Sequence, residues 1–238
     1  MEFYKLLNLS FGVKADFEIL YKEISASHES KASSDEWLKE ILGMSEKHVL
    51  FLKKEETQEM AFIYFNPPYA NINFTLQRIA LTFNKQMVTP EDTSPENFKK
   101  QVEDYSRKMS IVMKEKNVGF LSHPFLHVEL IYYSDKIDYS KLLRNLVWGS
   151  ANLNNTSLEK CTFGFTTSRE STPGKQEYLE TIVEHWLKNK DFLFVSGTAQ
   201  WNIMEHRDTD LNFFSRWASD ILNNFEAILK RLEGCKIC

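Results

Sequence analysis

Two imidazoles and a carboxylate recur in one apolar stretch, Ser122-His-Pro-Phe-Leu-His-Val-Glu-Leu-Ile-Tyr-Tyr133. Side chains alternate along an extended chain. His123, Phe125, His127, Glu129 and Ile131 therefore share one face, and Pro124, Leu126, Val128, Leu130 and Tyr132 share the other, which reads as the core face. Imidazole nitrogens and carboxylate oxygens can both ligate a divalent metal. His123 and His127 are four residues apart, roughly 13 Å along a strand, too far to hold one ion. His127 and Glu129 remain as the candidate ligand pair.

A second constellation is Glu205-His-Arg-Asp-Thr-Asp210, where a strand is expected to give way to a helix. His206, Asp208 and Asp210 are the metal candidates there. Carboxylates at this place also suit the free N–H groups and positive end of a helix. A third is Cys235-Lys-Ile-Cys238. The CxxC spacing suits a redox pair or half a zinc site, but the only other thiol is Cys161, so a frayed tail is the simpler reading. No phosphate-binding GxxxxGK[ST] or GxGxxG, no GxSxG and no HExxH is present. The pattern names no catalytic residue and asks for no cofactor.

The elements that must position these groups are legible from periodicity. Leu7, Leu9, Phe11 and Val13 alternate with polar residues as a first strand. Phe17, Leu20, Tyr21 and Ile24 follow at helical spacing, and a second helix is expected from Ser33 to Gly43. Residues 48–53 and 60–66 read as a hairpin. Ile72 to Phe83 reads as one long strand with a bulge between Leu76 and Ile79. Phe98, Val102, Tyr105, Met109 and Val112 step by four and three, a clean amphipathic helix to about Lys116. Residues 120–133 read as a strand, Tyr139 to Trp148 as a short helix, and Cys161, Phe163 and Phe165 as a strand. Residues 178–187 fit a helix better than a strand, with a hairpin onto 192–203 left open. Residues 192–203 read as a strand whose wet face carries Thr198, Gln200 and Asn202. The chain closes on a long helix with Leu211, Phe214, Ala218, Ile221, Leu222, Phe225, Ile228, Leu229 and Leu232 on one face.

These elements predict an α+β fold: a mainly antiparallel sheet of about seven strands, covered by amphipathic helices and ending in a long C-terminal helix. No internal repeat is visible in the letters. Residues 1–238 are read as a single domain, with the loop at 85–95 as the place where two lobes would part. A composition of 42% hydrophobic and 26% charged residues supports a packed core, and a net charge of −4 gives no reason to expect nucleic acid. No apolar run reaches the ~18 residues of a membrane span, and the N-terminus does not read as a signal peptide. Three cysteines do not make a disulfide framework, which points to the cytoplasm.

The strand Asn71 to Phe83, the helix Phe98 to Lys116, the segment FLHVELIYYSDKID and the late run GTAQWNIMEHRDTDLNFFSRW resemble, in this order, an uncharacterised, sporadically distributed family of bacterial proteins. The shared layout covers Ile72 to Leu232. The arginine and asparagine that flank the family's mid-chain tyrosine are absent from Leu130-Ile-Tyr-Tyr-Ser134. The resemblance implies a bacterial, cytoplasmic protein without an established catalytic residue, belonging to a mobile or antiviral-defence locus.

The expectation is a non-catalytic cytoplasmic component of such a multi-gene system, binding another protein from the same operon. The alternative is a metal-dependent hydrolase or nuclease using His127 and Glu129, or His206, Asp208 and Asp210.

Overall fold

Alternation along the strands and a stripe on each long helix decide the architecture. A computed structural model describes residues 5–15, 18, 21–22, 24–26, 49–64, 70–84, 95–115, 121–133, 162–172, 175–185, 192–201 and 211–234. Within them lie strands β1 (Lys5–Ala15), β2 (Val49–Lys54), β3 (Glu59–Tyr64), β4 (Ala70–Thr75), β5 (Arg78–Asn84), β6 (Leu121–Tyr133), β7 (Thr162–Thr172), β8 (Lys175–His185) and β9 (Phe192–Trp201), and helices α1 (Pro95–Glu115) and α2 (Phe213–Gly234). The strands form one antiparallel sheet in the order β2-β3-β4-β5-β1-β6-β9-β8-β7.

The sheet has nine strands rather than seven, for two local reasons. The long strand expected over Ile72 to Phe83 is a hairpin: the chain turns at Leu76-Gln77, and Thr75 pairs with Arg78. Thr75 Oγ1 accepts a hydrogen bond from the Gln77 amide at 3.2 Å, so a threonine hydroxyl supports a turn that lacks Gly, Asn and Pro. The helix favoured for 178–187 is strand β8, the hairpin partner of β9. The expected helices at 33–43 and 139–148, the loop at 85–94, and Cys161, Cys235 and Cys238 lie outside the described residues.

One face of the sheet is dry. Leu9, Phe11 and Val13 of β1, Leu126, Val128 and Leu130 of β6, and Leu193, Val195 and Ala199 of β9 are buried beneath the two long helices. Those helices contribute Val102, Tyr105, Met109 and Met113 from α1, and Phe214, Trp217, Ile221 and Phe225 from α2. Each large apolar side chain removed from water contributes about 1.5–3 kcal/mol, so this layer dominates stability. Burial, with the Asp104 carboxylate adding to it, pushes the Tyr105 phenol up to about 12. The Ser110 hydroxyl accepts a hydrogen bond from the Leu211 amide at 3.1 Å, tying α1 to the entry of α2. The buried Glu177 carboxylate accepts from the Arg216 guanidinium, which anchors β8 to α2.

The two halves of the sheet repeat one another. β1 is followed by the meander β2-β3-β4-β5, whose last strand returns to pair with β1, and then by α1. β6 is followed by the meander β7-β8-β9, whose last strand returns to pair with β6, and then by α2. The halves join edge to edge through β1 and β6, antiparallel, as a local two-fold axis requires. A register shift interrupts each central strand just before the run that pairs Asn8 with Glu129 and Gly12 with Phe125, once at Leu7 and once at His123-Pro124. This equivalence places Ser10 opposite His127 on the axis. The helices agree: Val102, Tyr105, Ser106, Met109 and Met113 are buried, and so are the residues 116 positions later, Ala218, Ile221, Leu222, Phe225 and Leu229. β2 has no counterpart among the described residues.

Candidate functional site

The other face of the sheet is polar, and no described helix packs on it. Its central row runs across seven strands through paired positions: Asn71 on β4, Thr82 on β5, Ser10 on β1, His127 on β6, Thr198 on β9, Glu180 on β8 and Thr166 on β7. Ser10 Oγ and Thr82 Oγ1 are 3.0 Å apart, and His127 Nδ1 and Thr198 Oγ1 are 2.8 Å apart. These two hydrogen bonds are equivalents under the internal repeat, because Thr82 and Thr198 occupy matching places beside the axis. Asn71 carries a buried side-chain oxygen without a hydrogen-bond partner among the described residues.

His127 is the centre of this row. Its Nε2 lies 3.3 Å from Glu129 Oε1, with the two side chains 30% and 32% exposed. A carboxylate only accepts, so Nε2 carries the proton. Nδ1 then accepts from the Thr198 hydroxyl in the neutral ring, or donates to its oxygen in the charged one. A separation of 3.3 Å also suits two ligands of one ion, but such an ion needs a third protein ligand. Among the described residues no group of three His, Cys, Asp or Glu side chains could hold a metal. His206, Asp208 and Asp210 lie outside the described residues.

His123 does not share this face in register. His123 and Pro124 form a bulge opposite Val13, and His123 has a left-handed backbone with φ of 46°, so Ser122 is the residue aligned with Lys14. His127 and Glu129 do share a face, as their spacing predicts. Ile131, on the same face, is fully buried, whereas Phe125 is half-buried beneath the Arg78 guanidinium, 4.9 Å from its ring centre. Ser10, Thr82 and Thr198 lie nearest His127 in the row and are not among the sequence candidates. Thr198 was visible only as part of a wet strand face, since nothing in the letters sets its register against His127.

On the helix side, a cavity of about 200 Å³ is lined by Glu177, Leu179, Ala199, Trp217 and Asp220 among others. It is smaller than ordinary ligand pockets, and the Glu177 carboxylate there is already bonded to Arg216. The polar sheet face is therefore the candidate site. No described helix is long and apolar enough to cross a membrane.

No family model, no curated protein and no solved structure matches this chain.

Proposed function

We propose that this protein is a non-catalytic, protein-binding component, and that its partner docks on the polar face of the sheet. The observation that carries the reading is a nine-stranded face, half-buried at its centre and exposed at Thr166, Glu180 and Gln200, with no described helix upon it. Strands spaced about 4.8 Å apart make such a face roughly 38 Å wide, and seven paired residues span about 23 Å. That product is on the order of 800 Å², the area each partner contributes to a standard protein–protein interface. Hydroxyl, amide and imidazole groups supply hydrogen bonds across it, and half-buried Phe125 and Tyr178 supply apolar contact. The resemblance in layout, together with the near-neutral composition, supports a cytoplasmic role within a bacterial antiviral-defence or other mobile multi-gene system, with the partner encoded in the same operon.

The test is affinity purification from the native host with variants on opposite sides of the molecule. Thr166→Trp and Gln200→Trp alter exposed positions of the polar face, and Glu103→Trp alters an exposed position of α1. A second polypeptide that accompanies the wild type and Glu103→Trp, and is lost with Thr166→Trp and Gln200→Trp, is the expected result. A partner retained by all three variants would contradict docking on this face.

A further inference from the structure

The sheet has two outer edges, β2 and β7, and they are built differently. β2 has six residues and ends on Lys53-Lys54, charges of the kind that keep an edge from pairing. β7 has eleven residues, and its run Thr162-Phe-Gly-Phe-Thr-Thr-Ser168 holds no charge and no proline. Arg169 and Glu170 come after that run, and the register shift of the hairpin lies beyond them. Every second residue of an edge strand turns its N–H and C=O away from its neighbour. No described strand pairs with that side of β7. Thr166, Thr167 and Ser168 are exposed in succession, so both faces of the strand meet water there. Gly164 is exposed as well, and its surface is main chain.

The internal repeat indicates what belongs at this edge. The pairs run outward from Ser10 and His127 to Thr82 and Thr198, then to Asn71 and Glu180, then to Ile63 of β3 and Thr166 of β7. Glu59–Tyr64 therefore answers to Thr162–Thr167. In the first half this stretch is covered by β2, antiparallel, with Lys54 opposite Glu59 and Val49 opposite Tyr64. In the second half the same place is open among the described residues. The cavity of about 200 Å³ lies beside it on the helix side, where Thr167 and Ser168 of the edge line it together with Leu179, Ala199 and Trp217. That volume is small for a ligand but has room for one side chain. Its apolar walls favour an apolar one, since the Glu177 carboxylate there already accepts from Arg216.

We infer that the outer edge of β7 takes up an extended segment of the partner, as an added strand antiparallel to Thr162–Thr167, with an apolar side chain opposite Thr167 directed to the cavity. The inference rests on the partner proposed above and names the form of the segment it presents. In strand addition, main-chain hydrogen bonds supply affinity and pockets for alternate side chains supply specificity. A second copy of this chain is the weaker occupant. Eleven residues make an edge about 37 Å long and on the order of 10 Å thick, roughly 370 Å² on each partner, well short of the ~800 Å² of a standard interface. A segment continuous with a protein on the adjoining polar face gains the remainder there.

The probe is a fluorescein-labelled peptide with the sequence of residues 48–55, His-Val-Leu-Phe-Leu-Lys-Lys-Glu, which contains the strand that covers β3. It is compared with two forms N-methylated at alternate residues, one at positions 49, 51 and 53, the other at 50, 52 and 54. The side chains are identical, and each form has lost the N–H groups of one edge only. The expected result with full-length protein is saturable binding of the unmodified peptide, retained by one methylated form and weakened about tenfold or more in the other. Hydrogen exchange should then show new protection at alternate amides of 162–168 and none at 49–54. Absence of binding, equal binding of both methylated forms, or protection placed at 49–54 overturns the inference. So does a protein that sediments alone as a dimer with the 162–168 amides already protected, which would make the occupant a second copy. If the peptide result fails while Gln200→Trp still releases the host partner, only strand addition falls. If the peptide result holds while Gln200→Trp keeps the host partner, the docking face falls and the edge site stands.

Discussion

Trp217→Ala is expected to lower the free energy of unfolding by about 3–5 kcal/mol. The indole is 2% exposed and lies where α2 meets the end of β9. It meets Trp201 edge-on at 5.4 Å between ring centres, Phe214 edge-on at 5.6 Å, and Phe213 at 5.0 Å. Truncation removes the largest buried side chain of the core and three aromatic contacts together, each worth about 0.5–1.5 kcal/mol beyond area. The surrounding rings sit on two rigid elements and cannot close the void. Urea unfolding with an unchanged slope reads the loss directly. Ile111→Ala, at a side chain 48% exposed, should stay within about 0.5 kcal/mol and serves as the control. A loss below about 1 kcal/mol for Trp217→Ala would mean that this aromatic cluster is not the packed core described.

Gly12→Ala is expected to destabilise by more than about 3 kcal/mol, beyond the usual range for an added methyl group in a packed site. A Cβ at Gly12 would lie 2.2 Å from the Ile79 carbonyl oxygen and 2.8 Å from the Ala80 Cα. Both are backbone atoms of the neighbouring strand, so relief requires prising β1 from β5 beside the axis of the sheet. Gly197 provides the comparison. Its added Cβ would meet Ile221 Cγ2 at 2.6 Å and Phe225 Cζ at 3.0 Å, side-chain atoms that can move, so Gly197→Ala should cost only about 1–3 kcal/mol. In an unobstructed strand, alanine would be the better residue by about 0.5–1 kcal/mol, so the sign as well as the size is diagnostic. A Gly12→Ala protein as stable as the wild type, measured by thermal and urea unfolding, would contradict the close approach of β1 and β5.

What the sequence reveals of this fold follows from how local each signal is. Strands with one dry face, such as Leu9-Ser10-Phe11 and Leu126-His127-Val128, announce themselves by alternation, and α1 and α2 by their stripes. β8 does not. Leu179, Thr181 and Val183 point to the helices while Tyr178 and Ile182 point to the other face, so apolar residues four apart imitate a helix. The Leu76-Gln77 turn lacks the residues that normally mark a hairpin. The repeat escapes notice because it keeps burial and register rather than letters: Tyr105 answers to Ile221, Met109 to Phe225, and Ser10 to His127. Among the matched positions of the central row only Thr82 and Thr198 are identical. The His127–Glu129 pair is readable because both residues lie on one strand. Its link to Thr198, and its place opposite Ser10, depend on pairing between segments about 70 and 117 residues apart, which alternation alone does not encode.

On the proposal above, the polar sheet face, and not the outer side of the helices, meets the partner. Site-specific photocrosslinking in the native host tests it most directly. A photoreactive amino acid is placed at Ser196, between Glu129 and Ile182 on the sheet, or at Arg107, on the exposed side of α1. The expected result is a discrete crosslinked partner from position 196 and none from position 107. A partner captured from position 107 and not from position 196 would contradict it.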